Sequence, residues 1–141
     1  MGCIASSERE QAGWRAWFES AVAESLAQQN PVFVDFTAAW CVTCQVNKRT
    51  TLSDPAVLAD FARYRTTLLR ADWTRRDSAT TAALSQLGRS GVPVYVIYAP
   101  GRPPVVLSEL LTPDQIHQAL AGLPTAAQPP TPASTSQRAP S

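Results

Sequence analysis

The sequence predicts an α/β domain with a central mixed sheet flanked by helices, and three features point there. Short β-branched and aromatic runs alternate with amphipathic segments. A late pair of strand-like runs encloses a Pro-Gly turn. Two cysteines three positions apart, Cys41 and Cys44, stand where the first continuously apolar run gives way to a helical segment.

Composition sets the limits. With 141 residues, 45% of them hydrophobic and 16% charged, the chain suits one domain with a real core. Twelve basic residues against 11 acidic ones leave no field to steer nucleic acid or an anionic membrane, so no nucleic-acid partner is expected, and Arg75-Arg76 reads as a solvated turn. No apolar run approaches the ~18 residues of a span. Glu8, Arg9, Glu10 and Arg15 interrupt any signal-peptide core, so a soluble domain without direct membrane insertion is expected. The opening "MGCIAS" matches a short myristoylation pattern beside Cys3, against the plainer reading of a frayed or artificial start over residues 1–7.

The domain itself is expected over residues 8–123. Residues 7–29 place Trp14, Phe18, Val22 and Leu26 at four-residue steps, which predicts an extra N-terminal amphipathic helix. Residues 31–38, "PVFVDFTA", are too continuously apolar for a one-sided strand and predict a central buried one. Residues 41–51 read as helix, and Asp54 with Pro55 restarts a helix as N-cap and first position, with Val57, Leu58 and Phe61 inward. Residues 66–73 form a second strand. Asp77 opens a helix with Ala83, Leu84 and Leu87 inward until Gly88 ends it. Residues 93–107 predict an antiparallel hairpin around Pro100-Gly101, and Thr112, Pro113 and Gln115 open a last helix burying Ile116 and Leu120. Beyond Leu123, residues 124–141 are too rich in Pro, Ala, Ser and Thr to offset ordering entropy, and disorder is expected.

The cysteine pair could be a staple, half of a metal site, a haem attachment or a redox couple. Three cysteines are too few for a secreted disulfide framework. Haem attachment needs histidine where Gln45 stands. A metal would have to recruit Cys3 and His117 from distant segments, whereas structural zinc sites come as local pairs; His117 reads better as a surface residue of the last helix. A β-α-β half followed by a β-β-α half, with the CxxC at the first strand–helix junction, describes the thioredoxin fold.

In that setting Cys41, at a helix start, sits among unpaired N–H groups that lower a thiol pKa and is the expected attacking thiol. Cys44, one turn in, is the expected resolving thiol. Trp40 would flank the sulfur with an apolar plate, or be an ordinary half-buried aromatic. Asp35, six residues before Cys41 on the buried strand, is expected to be unpaired, with a desolvated and raised pKa, able to exchange protons with Cys44; the plainer reading is a strand-end acid bonded to backbone. Pro93 heads an apolar strand, where a trans proline is poorly placed for a ladder.

The stretches "VFVDFTAAWCVTCQVNK", "LRADWTRRD", "GRSGVPVYVIY" and "PVVLSELLTPDQI" together resemble the C-terminal thioredoxin-like domain of the DsbD family of transmembrane disulfide reductases, over about residues 31–123. The resemblance implies a periplasmic domain that takes electrons from a membrane-embedded carrier and passes them to extracytoplasmic thiol proteins. It implies that the acid at Asp35 serves as a base and that Pro93 is cis, with Val92 offering its N–H and C=O to an extended partner. No cofactor beyond the Cys41–Cys44 disulfide, and a monomer, are expected. Where the family places an acid before the tryptophan, a lysine after the second cysteine and a glutamate three residues later, this chain has Ala39, Gln45 and Lys48. Lys48 lies one turn beyond Cys44, so its cation would favour thiolate and tune the pair. The expected function is a protein-disulfide reductase with a potential nearer about −270 mV than about −120 mV. The alternatives are a free-standing reductase for cytochrome c maturation or metal-stress proteins, and a non-catalytic module binding peptides along the Pro93 groove.

Overall fold

The computed structural model describes residues 13–123, so Cys3, the myristoylation pattern and the disorder expected for residues 124–141 lie outside it. The described elements run β1 Trp14–Ala16, α1 Glu19–Ala27, β2 Val32–Thr37, α2 Val42–Arg49, a 3₁₀ turn Thr51–Ser53, α3 Pro55–Arg63, β3 Thr67–Asp72, α4 Ser78–Gln86, β4 Val94–Tyr98, β5 Val105–Val106 and α5 Pro113–Ala121. They build one five-stranded mixed sheet in the order β1-β3-β2-β4-β5. β3 is parallel to both β1 and β2, and β4 is antiparallel to β2 and β5. No helix among the described residues is long and apolar enough to cross a membrane.

β2 is the centre, and all six of its residues are buried. A strand covered on both faces has no solvent side, which is why its sequence does not alternate. Its side chains still point to opposite faces. Val32, Val34 and Phe36 join Leu69, Leu84, Val94 and Val96 in one core layer, on which Val22 and Leu26 of α1 pack. Phe33 points the other way, tilted against Phe61 at 5.0 Å and stacked on Tyr95 at 6.1 Å, in the layer that α3 and α5 close with Val57, Ile116 and Leu120. Asp35, two residues from Phe33, shares that second face.

Local chemistry fixes the helix ends. Asp54 accepts the Ala56 N–H at 2.8 Å ahead of Pro55. Asp77 accepts the Thr80 N–H at 3.0 Å. Gly88, at φ +76°, lets the chain close α4 with Gly88 N–H on the Ser85 carbonyl and Arg89 N–H on the Leu84 carbonyl, both at 2.9 Å. At α5 the cap is half of the expected box: Thr112 accepts the Gln115 N–H at 3.3 Å, but the Gln115 side chain bridges Ser108 N–H and the Leu110 carbonyl instead.

The N-terminal helix is shorter than expected. Residues 14–16 form an edge strand on β3, α1 begins at Glu19, and Phe18 is 63% exposed at its cap. A four-residue step is a multiple of the strand period of two as well as close to a helical turn, so the stripe did not discriminate. Trp14 is buried from the strand, 6.0 Å edge-on to Phe33.

Candidate active site at the Cys41–Cys44 pair

β2 ends at Thr37, and the turn at Ala38, Ala39 and Trp40 delivers Cys41 as the N-cap of α2. Cys41 and Cys44 are disulfide-bonded with Cα atoms 5.2 Å apart. Cys41 Sγ accepts the Cys44 N–H at 3.1 Å, so the outer sulfur already occupies the place where an N-cap oxygen would take an orphan amide proton. Cys41 is 7% exposed and Cys44 0%, and Ala38 and Val92 pack against them. The Val92–Pro93 bond is cis and leads directly into β4.

Asp35, Arg70 and Lys48 form a charge cluster that links β2, β3 and α2. Asp35 is fully buried and is not unpaired, correcting the expectation: its Oδ2 accepts from Arg70 Nε at 2.9 Å, while Oδ1 has no hydrogen-bond partner among the described residues. Arg70 is its ladder neighbour in the parallel β2–β3 register, with its guanidinium carbon 4.1 Å from the centroid of the Trp14 ring. Burial pushes the Asp35 carboxyl pKa up, against the pull of Arg70 and Lys48. Lys48 is half-buried, its pKa lowered by burial and supported by Asp35, so its charge acts on this carboxylate.

A titration experiment follows from that burial. Because the folded pKa of Asp35 lies above the unfolded value of about 3.9, the native state holds more protons than the unfolded one between the two values, and stability falls as pH rises through that window. Asparagine carries no such proton. The urea midpoint of Asp35→Asn, taken relative to the parent, is therefore expected to climb as pH rises from about 4 and to level off above the folded pKa. A relative midpoint that stays flat or falls would show that Arg70 outweighs desolvation.

Trp40 is 47% exposed, with its indole N–H on the Thr74 carbonyl at 3.1 Å and its ring 6.0 Å from Trp73. Arg76 is exposed beside a turn, as expected, and also lies over both rings, at 4.7 Å and 5.2 Å. His117 is a surface residue whose Nδ1 lies 3.2 Å from Asp60. Among the described residues no cluster of three His, Cys, Asp or Glu could hold a metal ion. Sequence reasoning missed Asn47, which is 2% exposed, bonds Tyr95 Oη at 2.8 Å and the Glu109 carbonyl at 2.9 Å, and so ties α2 to β4 and to the segment before α5. A polar residue at an inward helix position was the available signal.

The profile of the thioredoxin-like family matches residues 13–100. The chain belongs to that thioredoxin-like family. This thioredoxin-like chain is 37% identical over 86 residues to the thiol:disulfide interchange protein DsbD 1 of Pseudomonas aeruginosa, a match covering 61% of the chain and 14% of the relative. It is 36% identical over 72 residues to Escherichia coli DsbD, covering 51% of the chain and 12% of the relative. The chain thus spans a small fraction of these relatives. Among solved structures, the oxidised C-terminal domain of Neisseria meningitidis DsbD has the same fold, with a TM-score of 0.58 and 24% identity over 71% of this chain and 84% of that one. Its reduced form gives a TM-score of 0.59 and 22% identity over 73% and 87%. These likenesses agree with the resemblance carried by the four sequence stretches.

Proposed function

We propose that the chain is a thiol:disulfide oxidoreductase acting as a reductant, and one observation carries the reading: a disulfide spans the first turn of α2, with its outer sulfur at the N-cap and its inner sulfur buried. In the dithiol form the Cys41 thiolate, held by the Cys44 N–H and the positive end of the helix, attacks one sulfur of a partner disulfide. A Cys41–partner S–S bond forms and the partner's other sulfur leaves as thiolate. Cys44, deprotonated with Asp35 as the base that the resemblance implies, then attacks Cys41 Sγ, closes the Cys41–Cys44 disulfide and releases the second partner thiolate. Two electrons pass to the partner, and solvent protons neutralise its thiolates.

Trp40 and the Val92–Pro93 edge flank Cys41, so an extended partner segment can lie along Val92 while its disulfide meets the sulfur. Lys48 acts as the tuning cation through its coupling to Asp35. The names of the DsbD relatives support thiol:disulfide interchange, and the resemblance of the four sequence stretches extends the reading to a dithiol of a membrane-embedded carrier as the source of electrons and extracytoplasmic thiol proteins as their destination, in the periplasm. The thiol pair is then the only redox group the chain requires.

Equilibration with glutathione buffers tests this reading. The expected result is a single two-electron transition between dithiol and Cys41–Cys44 disulfide. Accumulation of glutathionylated protein with no intramolecular disulfide would sink it.

A further inference from the structure

The Arg76 guanidinium carbon lies 4.7 Å from the centroid of the Trp40 ring and 5.2 Å from that of Trp73, and the two ring centroids are 6.0 Å apart with their planes tilted by 55°. Trp40 is the residue before Cys41. The stack is built in: Trp40 donates to the Thr74 carbonyl at 3.1 Å, Ala39 N–H donates to Thr74 Oγ1 at 2.8 Å, and Trp73 Nε1 donates to Thr81 Oγ1 at 2.8 Å. Arg76 itself sits at φ +52°, its N–H on the Trp73 carbonyl at 2.9 Å. An L-residue holds that left-handed conformation where its surroundings enforce it.

The acids nearby are otherwise engaged. Asp72 accepts the Thr74 N–H at 2.9 Å and its hydroxyl, and Asp77 accepts the Thr80 N–H at 3.0 Å and its hydroxyl at 2.8 Å. Arg76 forms no ion pair among the described residues and is exposed. A guanidinium held over aromatic rings with no ion-pair partner has N–H donors left for a ligand, and its planar fork matches a carboxylate with two parallel hydrogen bonds. Arg75, also exposed, adds positive charge on the same turn.

Resting on the exchange reading above, we propose that Trp40, Trp73 and Arg76 form a recognition site for a carboxylate side chain of the partner, borne close to the cysteine that Cys41 attacks. Arg76 is one ring and one residue removed from Cys41, so an extended segment spans the gap with about four residues or fewer. The site selects acidic partner segments over basic ones.

Exchange rates with matched disulfide-bridged peptides test this, the peptides carrying Glu, Gln or Lys two to four residues from the cysteine. For the reduced parent chain the Glu peptide is expected to react roughly two- to fivefold faster than the Lys peptide at low salt, as for an exposed ion pair, and the advantage shrinks at high salt. Arg76→Lys retains a preference for Glu, Arg76→Gln brings the ratio near one, and Arg76→Glu inverts it. Because each ratio is taken within one protein, a general loss of rate does not imitate the effect. An unchanged ratio in Arg76→Glu, or no preference in the parent, overturns the site while leaving the exchange reading intact. Failure of the parent to reduce any of the peptides strikes the exchange reading and removes this inference with it.

Discussion

Cys41→Ser is expected to reduce exchange with protein disulfides to the uncatalysed background, whereas Cys44→Ser is expected to capture the partner in a lasting mixed disulfide through Cys41. The asymmetry comes from position. Cys41 is the N-cap sulfur and the less buried of the two, and Cys44 is sealed at 0% exposure. Both variants lose the same short-loop disulfide, worth roughly 2 kcal/mol in the chain-entropy picture, so a difference between them in capture is chemical and not a matter of stability. Mass spectrometry of trapped complexes reads the result. Capture through Cys44 in the Cys41→Ser protein would reverse the assigned roles.

Asn47→Ala is expected to lower unfolding stability by about 3 kcal/mol, a large effect for one polar side chain. Asn47 donates to Tyr95 Oη at 2.8 Å and to the Glu109 carbonyl at 2.9 Å, and accepts the Leu111 N–H at 3.4 Å. Alanine leaves three buried or half-buried polar groups without their partner, and it is the unsatisfied remainder that makes the loss large. Tyr95 stands in the central layer against Phe33, its hydroxyl pKa raised chiefly by burial. Its hydroxyl has no ready route to water. Urea unfolding with a double-mutant cycle against Tyr95→Phe measures the coupling. A loss below about 1 kcal/mol would mean that water replaces the amide at little cost.

Both predictions bear on what the sequence disclosed. The cysteine pair, the buried β2 strand with Asp35 and the hairpin after Pro93 were legible because each is a local pattern: a fixed spacing, an unbroken apolar run, a turn dipeptide between β-branched residues. The caps at Asp54, Asp77 and Thr112 were legible for the same reason. The charge environment was not. Arg70 meets Asp35 because the parallel register sets residues 35 positions apart side by side, and nothing local encodes register between strands joined by a long crossover. The ring contacts of the exposed Arg76 were not legible because a cation over two indoles requires rings brought together from β3's end and the turn before α2. The strand at residues 14–16 was hidden by a four-residue spacing that helix and strand both satisfy.

We propose that tuning of the thiol pair rests on a group of charges rather than on one. Asp35 faces Arg70 directly and Lys48 through space, so its carboxyl is held between desolvation, which favours its proton, and two cations that oppose it. α2 carries no acid in its first turn, and Lys48 and Arg49 stand in its last.

The midpoint of the Cys41–Cys44 couple in glutathione or dithiothreitol buffers tests the central claim most directly. A reductant of this kind requires one two-electron transition near the reducing end of the known range, around −270 mV, since Val42 and Thr43 between the cysteines supply no histidine to stabilise the dithiolate further. A midpoint above about −150 mV would make the chain an oxidant and contradict the account.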